Sequence, residues 1–345
     1  MLYGFAFFSS RANPIRELYR CGKEDPSLQV SPSLRPTRER VGLNVDGTNA
    51  AAAVRTIVAA EAAGVRQIWM NQAPWSPDVL TTLAAAATKT STVRLGTSIV
   101  QTYPRHPVVL AQQALAVYDI APGRLRLGIG PSDRAIMEAT YGLQLRTPLA
   151  HLREYVEVLR AALWEGKVDH HGHFYNVVVT LPCTSQIPVL ISTLGKKAFQ
   201  LAGQIAGALS WACPVPYLLH TGIPALHTSA AAAGRSAPPL VAHVSVALNE
   251  DRHSVLVAGH RYLDFYAKLP FYANMFSDAG FQVTTDQTVP DALVDSLVIS
   301  GNEATVTARF TELLAAGLDE LNVSLLPITD ASDEQSRLMH LIGRL

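Results

Sequence analysis

Val93–Val100 (VRLGTSIV) and Gly123–Asp133 (GRLRLGIGPSD) are two apolar stretches that flank one helical segment. Both contain aliphatic residues that alternate with arginine, and both run into glycine and small polar residues. A buried parallel strand is typically an almost continuous aliphatic or β-branched run. Small residues at its carboxyl end leave room for a ligand, and α/β folds bind their ligands at that end. The two stretches therefore predict a β-α-β unit with a binding site where its strands end.

Short apolar runs and longer helical segments alternate along the rest of the chain. The alanine-rich segment Asn49–Ala63, for example, ends before Gly64, a common residue at helix C-termini. Together with the length of 345 residues, the pattern favours a (β/α)8 TIM barrel with insertions over an open doubly wound sheet. The predicted strands are Val41–Val45, Arg66–Met70, the two stretches above, Val189–Ser192, Gly207–Cys213, Leu240–Leu248 and Glu320–Leu326.

A Rossmann domain followed by a second domain is the alternative architecture, because Gly128-Ile129-Gly130 could begin a dinucleotide fingerprint. Asp133 stands where the third glycine of that fingerprint belongs. No acidic residue follows a second nearby strand in the position that would bind a ribose. The sequence therefore favours the barrel.

The domain organisation is predicted from changes in composition. Residues 1–40 are rich in Arg, Pro and Ser and have weak periodicity, which predicts a poorly packed N-terminal extension before a barrel domain of residues 41–345. Two segments interrupt the barrel pattern. Asp169–Pro182 is predicted to be a hairpin. Asp251–Ile299 is a longer insertion that we expect to roof the pocket or pack beside it, and its aromatic residues are as typical of a core as of a ligand contact.

The composition indicates an enzyme for small molecules. The 28 basic and 28 acidic residues give a formal net charge of zero, without the clustered cations that a nucleic-acid surface needs. Leu2–Phe8 is apolar but too short to cross a membrane, and no basic region precedes it as in a signal peptide. Three cysteines in no metal or disulfide pattern predict a cytoplasmic location. The His170–His173 segment is better explained by surface histidines than by a metal, so no metal site is predicted.

Neutral polar residues follow the predicted strands. Asn44 follows the first strand, Gln72 the second, Ser98–Gln101 the third and Gly130–Asp133 the fourth. In a barrel these positions meet at one mouth. Amides, hydroxyls and glycines suit a large planar cofactor that supplies the reactive chemistry itself. Asp133 is equally well explained as a helix N-cap and as a general acid or base.

Gly195-Lys196-Lys197 begins a predicted helix after the fifth strand. The free N–H groups of a helix N-terminus bind anions, and a preceding glycine lets a ligand approach the backbone. Lysines at this end oppose the helix dipole, which makes two merely solvated lysines the weaker explanation. The segment therefore predicts a phosphate-binding site.

Taken together, these motifs resemble the bacterial luciferase-like oxidoreductases over about Val41–Leu326. The resemblance is strongest to the branch that uses the deazaflavin coenzyme F420, which includes proteins similar to methylenetetrahydromethanopterin reductase. Each motif alone is a weak sign of the family, and the resemblance depends on the order and spacing of several short motifs. These are Ile68–Met70, Val93–Ser98, Arg105-His106-Pro107, Gly123–Gly130, Leu152–Arg160, Pro188–Gly195 and Ser300–Glu303.

The resemblance implies a barrel that holds a flavin-type ring at the carboxyl ends of its strands and commonly forms a homodimer. In similar enzymes a non-prolyl cis peptide bond follows the third strand and supports the ring, and the matching bond here joins Ser98 to Ile99. The resemblance further implies that the ring or its ribityl chain contacts one group of residues and that the phosphate lies near another. The first group is Gln101, Ser132 and Asp133, and the second is Leu194, Gly195, Lys197 and Ala198.

One departure from the family pattern concerns the proton donor. Many relatives carry Asp-His just after the second strand, and this chain has Gln72-Ala73 there. Proton transfer is then left to Asp133, or to the substrate and water. We predict an F420-dependent oxidoreductase that transfers a hydride between the deazaflavin and a small organic substrate. The alternatives are an FMN-dependent monooxygenase that needs a partner reductase, and a barrel that binds cofactor without catalysis.

Overall fold

All eight predicted strands are present as strands of one sheet. The computed structural model describes residues 35–284, 286 and 288–345, and the strands below are those of this part of the chain. They are β1 Val41–Asn44, β2 Gln67–Met70, β3 Arg94–Thr97, β4 Val100–Gln101, β5 Leu125–Gly130, β6 Lys167–His171, β7 Asn176–Thr180, β8 Val189–Ser192, β9 Gly207–Ser210, β10 Leu240–Ala247, β11 Val298–Ser300 and β12 Glu320–Leu325.

The strand pairing closes a parallel barrel, which confirms the predicted (β/α)8 architecture. The strands are neighbours in the order β1, β2, β3, β5, β8, β9, β10 and β12, and β12 pairs back to β1. Because all eight strands are parallel, their carboxyl ends form one mouth. Two very short strands, β4 and β11, were not predicted and pair beside β5 and β10.

Helices cover the outside of the barrel and the connections between its strands. They are α1 Thr37–Arg40, α2 Ala50–Ala62, α3 Val79–Ala87, α4 Pro107–Ile120, α5 Arg134–Tyr141, α6 Pro148–Arg160, α7 Lys196–Ile205, α8 Val215–Tyr217, α9 Ile223–Ala232, α10 Arg252–Ala267, α11 Pro270–Asp278, α12 Asp291–Leu297, α13 Glu303–Ala315 and α14 Ala331–Gly343. Short π-helical turns follow α6 at Ala161–Glu165 and α8 at Leu218–Gly222. In the described residues no helix is both long and apolar enough to span a membrane.

The two predicted insertions have the expected positions. The first is the antiparallel hairpin β6–β7, which spans Lys167–Thr180. The Glu154 carboxylate on α6 accepts hydrogen bonds from the backbone N–H groups of His173, Phe174 and Tyr175, and so fixes the hairpin to the barrel. The second insertion contains α10, α11 and α12.

Large side chains fill the interior of the barrel below its mouth. Trp69 on β2 is fully buried and packs with leucine and valine side chains from β8, β9 and β10. Gly96 on the adjacent strand faces the indole, and a Cβ atom there would lie 2.3 Å from Trp69 Cε3. Below the indole, the guanidinium of Arg126 lies 4.9 Å from the ring centroid and forms an ion pair with Glu320. The open space is therefore confined to the mouth.

The predicted N-terminal extension lies mostly outside the described residues. Its described end is the short helix α1, which has no buried residue but makes polar contacts with the barrel. The Glu39 backbone carbonyl accepts hydrogen bonds from the side chains of Gln67 and Arg94, and its carboxylate lies 2.8 Å from Arg94 Nη1. The Arg40 side chain donates to the carbonyl oxygens of Leu318 and Asp319. Polar groups at the end of the barrel opposite the mouth thus hold the segment in place.

Candidate active site

A cavity of about 660 Å³ opens at the carboxyl ends of the strands. The connections after β2, β3, β5, β8 and β9 line it, together with residues of α6, α10 and α11. Ten of the thirteen predicted site residues line this cavity. They are Gln72, Ser98, Ile99, Gln101, Ser132, Asp133, Leu194, Gly195, Lys197 and Ala198.

The other three predicted residues stand outside the lining. Asn44 lies behind Ser98, and its amide donates to Ser98 Oγ at 3.3 Å, so it supports the wall instead of forming it. Gly130 permits a close approach, since a Cβ atom there would lie 2.2 Å from Ser192 Oγ. Lys196 follows Gly195 on the exposed surface of α7, and only its neighbour Lys197 lines the cavity.

The peptide bond between Ser98 and Ile99 is cis, as the resemblance implied. Backbone hydrogen bonds hold this turn against the loop that follows β2. Ser98 donates its N–H to the carbonyl oxygen of Met70 at 2.7 Å, and the Ile99 carbonyl accepts from the Gln72 N–H at 3.1 Å. The turn therefore presents a fixed backbone and the Ile99 side chain to the cavity.

Gln72 uses its side chain to organise its own loop. Its amide nitrogen donates to the carbonyl oxygens of Ala73 and Ser76, and its amide oxygen accepts from the N–H of Val79 at the start of α3. Both ends of the amide are thus engaged by the protein. Gln72 lines the cavity, but its polar atoms serve the loop, which differs from the predicted ligand contact.

The carboxylate of Asp133 has the helix-capping role that the sequence left open, and its role as a general acid or base stays a prediction. Its Oδ1 atom caps α5 by accepting the N–H of Ala135 at 2.9 Å. Its Oδ2 atom is buried and has no hydrogen-bond partner among the described residues. Burial raises the pKa of this carboxyl above its ordinary value, and the hydrogen bond from Ala135 only partly opposes the shift. Asp133 lines the cavity, and a carboxyl with a raised pKa beside a cavity is a candidate for proton transfer.

Strained backbone occurs on both sides of α5. Ser132 has a φ of 64° and Thr147 a φ of 41°, and both residues line the cavity. A non-glycine residue in the left-handed region costs about 1–2 kcal/mol and persists where the surroundings impose it. Ser132 lies in the turn between β5 and α5, immediately before Asp133, and both residues line the cavity.

The N-terminus of α7 is open to the cavity. Gly195 precedes the helix with φ −86°, and no side chain caps the first turn. A Cβ atom added at Gly195 would meet no heavy atom within 4 Å, so a ligand can reach the backbone here. With Lys197 at the same edge, the helix end offers N–H donors and a positive charge to an anion.

Aromatic residues that sequence reasoning had not assigned to the site form another wall. Trp211 follows β9, its ring stacks on His243 at 3.7 Å, and its indole N–H donates to the Tyr266 hydroxyl at 2.8 Å. Burial lowers the pKa of His243 to about 3, so the imidazole is neutral beneath the indole. The sequence predicts that the insertion with these aromatic residues roofs the pocket or packs beside it, but it leaves open whether they are core residues or contacts; Phe265, Tyr266, Phe271 and Tyr272 line the cavity.

The histidines near the hairpin have structural partners. His170 Nε2 lies 3.2 Å from the Glu154 carboxylate that holds the hairpin. In the part of the chain that the structure describes, no group of three histidine, cysteine or acidic residues is arranged to bind a metal ion.

Comparison with known families matches residues 33–320 to the luciferase-like monooxygenases. The chain belongs to this family. It resembles a 5,10-methylenetetrahydromethanopterin reductase from Archaeoglobus fulgidus, with 27% identity over 309 residues that cover 83% of this chain and 91% of the relative. It also resembles a candidate coenzyme F420-dependent oxidoreductase from Mycobacterium tuberculosis, with 26% identity over 328 residues that cover 81% of this chain and 91% of the relative.

Solved structures share the fold of this luciferase-like chain. The F420-dependent tetrahydromethanopterin reductase from Methanopyrus kandleri superposes with a TM-score of 0.72 at 21% identity, over 88% of this chain and 97% of its own. The oxygenating constituent of 3,6-diketocamphane monooxygenase from Pseudomonas putida, in complex with FMN, gives a TM-score of 0.67 at 17% identity and the same coverage. The family and the barrel predicted from the sequence are thereby confirmed, and the chain is a luciferase-like oxidoreductase.

The residues at the mouth fit a flavin-type cofactor. The cavity has a firm backbone wall at Ser98–Ile99, an open anion site at Gly195 and one unpartnered carboxylate oxygen at Asp133. These features suit, in the same order, a flat ring, a phosphate and a protonatable reaction partner. A deazaflavin and FMN share a flat tricyclic ring shape and a phosphate, so this fit applies to both.

Proposed function

We propose that this luciferase-like protein is an F420-dependent oxidoreductase that transfers a hydride between the coenzyme and a small organic substrate. The observation that carries the proposal is the buried, unpartnered Oδ2 atom of Asp133 in a cavity that also offers a ring support and a phosphate site. When bound, the deazaflavin would supply or accept the hydride.

The chain's own residues would bind and orient. Ser98 and Ile99 would support the ring, Gln101 and Ser132 would contact its polar edge or ribityl chain, and Gly195 with Lys197 would hold the phosphate. The N–H groups at the start of α7 favour negative charge, and a rigid site brings the reactants together without further ordering. Leu194 and Ala198 line the cavity on either side of Gly195 and would exclude water from the phosphate.

Asp133 would hold the proton that accompanies hydride transfer to a carbonyl or imine carbon. Its raised pKa keeps the carboxyl protonated at a higher pH than an exposed aspartate. The Ala135 N–H holds Oδ1, which leaves Oδ2 as the carboxyl oxygen without a partner among the described residues. A carboxyl in this position acts as a general acid in reduction and as a general base in the reverse direction.

Titration of the purified protein with oxidised F420 and, separately, with FMN tests the proposal. We expect saturable binding of F420 by fluorescence, and much weaker binding of FMN. The sequence relatives named for F420 and methanopterin support this preference. Tight binding of FMN without binding of F420 would instead indicate the monooxygenase, and coenzyme binding with no turnover across a substrate screen would indicate a non-catalytic barrel.

Variants of α7 locate the phosphate. Gly195→Asp places a carboxylate at the anion site and should weaken F420 binding by roughly 10- to 100-fold, whereas Gly195→Ala, which adds only a methyl group in open space, serves as its size control. Lys197→Ala should weaken binding about fivefold. Lys89→Ala removes an exposed charge beyond the end of α3 and should leave the affinity unchanged.

We also propose a homodimer, which the resemblance implies, and a cytoplasmic enzyme for a small-molecule substrate without nucleic acid or membrane, as the cysteine usage, charge and hydropathy predict. Sedimentation velocity of the purified protein measures the oligomeric state directly. A monomer at micromolar concentration would contradict this part of the proposal.

A further inference from the structure

The insertion after β10 builds an aromatic wall at the cavity. The aromatic wall consists of Phe265, Tyr266, Phe271 and Tyr272, and all four residues line the cavity. In the barrel order, β10 is four strands away from β3 in either direction. The aromatic wall therefore enters the mouth from the side opposite the Ser98–Ile99 turn. The ring of the proposed coenzyme would lie against that turn.

Contacts within the aromatic wall keep it in place. The rings of Tyr266 and Tyr272 lie 4.7 Å apart, and Phe265 meets the Tyr266 ring edge-on at 5.3 Å. The Tyr266 hydroxyl is engaged by the indole N–H of Trp211 at 2.8 Å. The hydroxyl is thus used within the protein, and the wall presents mainly ring surface to the cavity.

Two rings of the aromatic wall leave large apolar surface uncovered. Phe265 is 47% exposed and Phe271 is 38% exposed, although both stand at the opening of a cavity. Covering such surface with an apolar ligand is favourable by about 25 cal/mol per Å². Aromatic rings also pair with other flat rings in offset or edge-on geometry, which favours a planar partner.

The charges around the cavity exclude an anionic partner at the aromatic wall. Among the described residues that line the cavity there is no arginine and no histidine, and the one lysine, Lys197, belongs to the α7 anion site. The remaining charged side chains are the carboxylates of Asp133 and Asp278. A substrate carboxylate or phosphate would meet like charge and no cation here, and would lose its hydration without compensation.

Asp133 faces the same space as the aromatic wall. Burial raises the pKa of the Tyr272 hydroxyl well above its ordinary value, with Tyr266, Cys213 and the carboxylate of Asp133 adding to the shift. A carboxyl with a raised pKa therefore shares the cavity with a mainly aromatic surface, and Asp278 is the second carboxylate of the lining. Such a site suits a ligand with a single polar group on a flat apolar frame.

We propose that the substrate is an uncharged, planar and largely apolar molecule, such as an aromatic or polycyclic ketone or the corresponding alcohol. Its rings would lie against the aromatic wall and its oxygen would point to Asp133. The reaction of this substrate rests on the proposed function. The preference for binding a neutral, planar ligand rests only on the aromatic wall and the charges of the cavity.

Binding of two matched probes to the cofactor-free protein tests the inference. The probes are 2-acetonaphthone, which is neutral, and 2-naphthoate, which has the same rings and a carboxylate. We expect calorimetry to show that the ketone binds at least tenfold more tightly than the carboxylate at pH 7.5. Equal binding of both probes, or tighter binding of the carboxylate, would overturn the inference.

Variants identify the surface that binds the ketone. Phe271→Ala and Phe265→Ala should each weaken 2-acetonaphthone binding by about 5- to 20-fold, as expected for the loss of a ring contact. Val257→Ala is the matched control, because Val257 is a comparably exposed apolar residue on the same helix as Phe265 and lies outside the cavity. If the Phe variants bind like the wild type, or the Val257 variant weakens binding equally, the aromatic wall is not the binding surface.

The same protein samples separate the two proposals. F420 binding that is lost in Gly195→Asp and kept in Phe271→Ala places the coenzyme away from the aromatic wall. Ketone binding without any F420 binding would refute the proposed function and leave the inference standing. F420 binding with no preference for the neutral probe would do the reverse.

Discussion

Replacing Asp133 with asparagine separates the two roles of its carboxylate. Asparagine is as good an N-cap as aspartate, so the bond from the Ala135 N–H to the side-chain oxygen can persist. The other oxygen, Oδ2, becomes an amide nitrogen that carries no acidic proton. Asp133→Asn therefore removes the proposed proton donor while it preserves the cap of α5.

The expected magnitudes follow from these two contacts. Loss of a general acid lowers kcat/KM by about 10²- to 10⁴-fold, equal to roughly 3–5 kcal/mol of transition-state stabilisation. The free energy of unfolding of Asp133→Asn, unlike its kcat/KM, should not fall below the wild-type value at pH 7. Because burial raises the folded-state pKa of Asp133, its ionised form opposes folding increasingly as the pH rises from the unfolded pKa through the folded one. The asparagine variant should be at least as stable as the wild type at pH 7, with no such advantage at about pH 3. Asp133→Ala, which loses the cap, should be about 1 kcal/mol less stable than Asp133→Asn.

The assay follows coenzyme oxidation with 2-acetonaphthone, or with the ketone that a screen shows the wild type to reduce. In the wild type, kcat/KM should fall as the pH rises through the raised pKa of Asp133, because the acid must be protonated. The asparagine variant should lack this pH dependence, and urea unfolding at both pH values measures the stability difference. Activity within threefold of the wild type with the same pH profile would refute the role of Asp133.

Three further substitutions test the packing that supports the site. Gly96→Ala should lower the free energy of unfolding by at least about 2 kcal/mol in urea, since its Cβ would stand 2.3 Å from Trp69; an unchanged unfolding midpoint would contradict this close approach. Glu320→Gln should lower the free energy of unfolding by about 3–5 kcal/mol, because it leaves the buried Arg126 guanidinium without its carboxylate. Thermal unfolding gives the value. A loss below about 1 kcal/mol would show that the positive charge of Arg126 has another partner. Gly142→Ala places a side chain at φ 66° where α5 ends, and should cost about 1 kcal/mol by chemical unfolding with no change in F420 affinity; a change in affinity would tie this helix end to coenzyme binding.

The barrel could be predicted because its strands are local patterns. Each strand is a short apolar run, and the small residues after it, such as Gly130 and Ser132, mark the mouth. In any closed parallel barrel the carboxyl ends of the strands meet at one mouth, so the residues that follow the strands lie close together. Asp133 could accordingly be placed at the mouth from its position after the fourth strand alone.

The finer assignments depended on contacts that no local pattern encodes. The sequence does not show that the Gln72 amide is consumed by the loop up to Val79. Successive side chains on a helix diverge by about 100°, so Lys196 and Lys197 could not both face one cavity. Which of the two lines the cavity depends on the orientation of α7, and the sequence does not show this orientation. The aromatic residues near Tyr266 reach the mouth only through the path of the whole insertion.

The contact between α1 and the lower end of the barrel fixes where a shortened version of this chain can begin. Arg94 is buried, and the carbonyl and carboxylate of Glu39 are both among its partners. A truncation that starts at residue 41 would leave that guanidinium facing Arg126 without this anion, and Arg126 already lowers the pKa of Arg94 in addition to the effect of burial. Engineered forms should therefore retain at least residues 35–40, even though the barrel's first strand starts only at Val41.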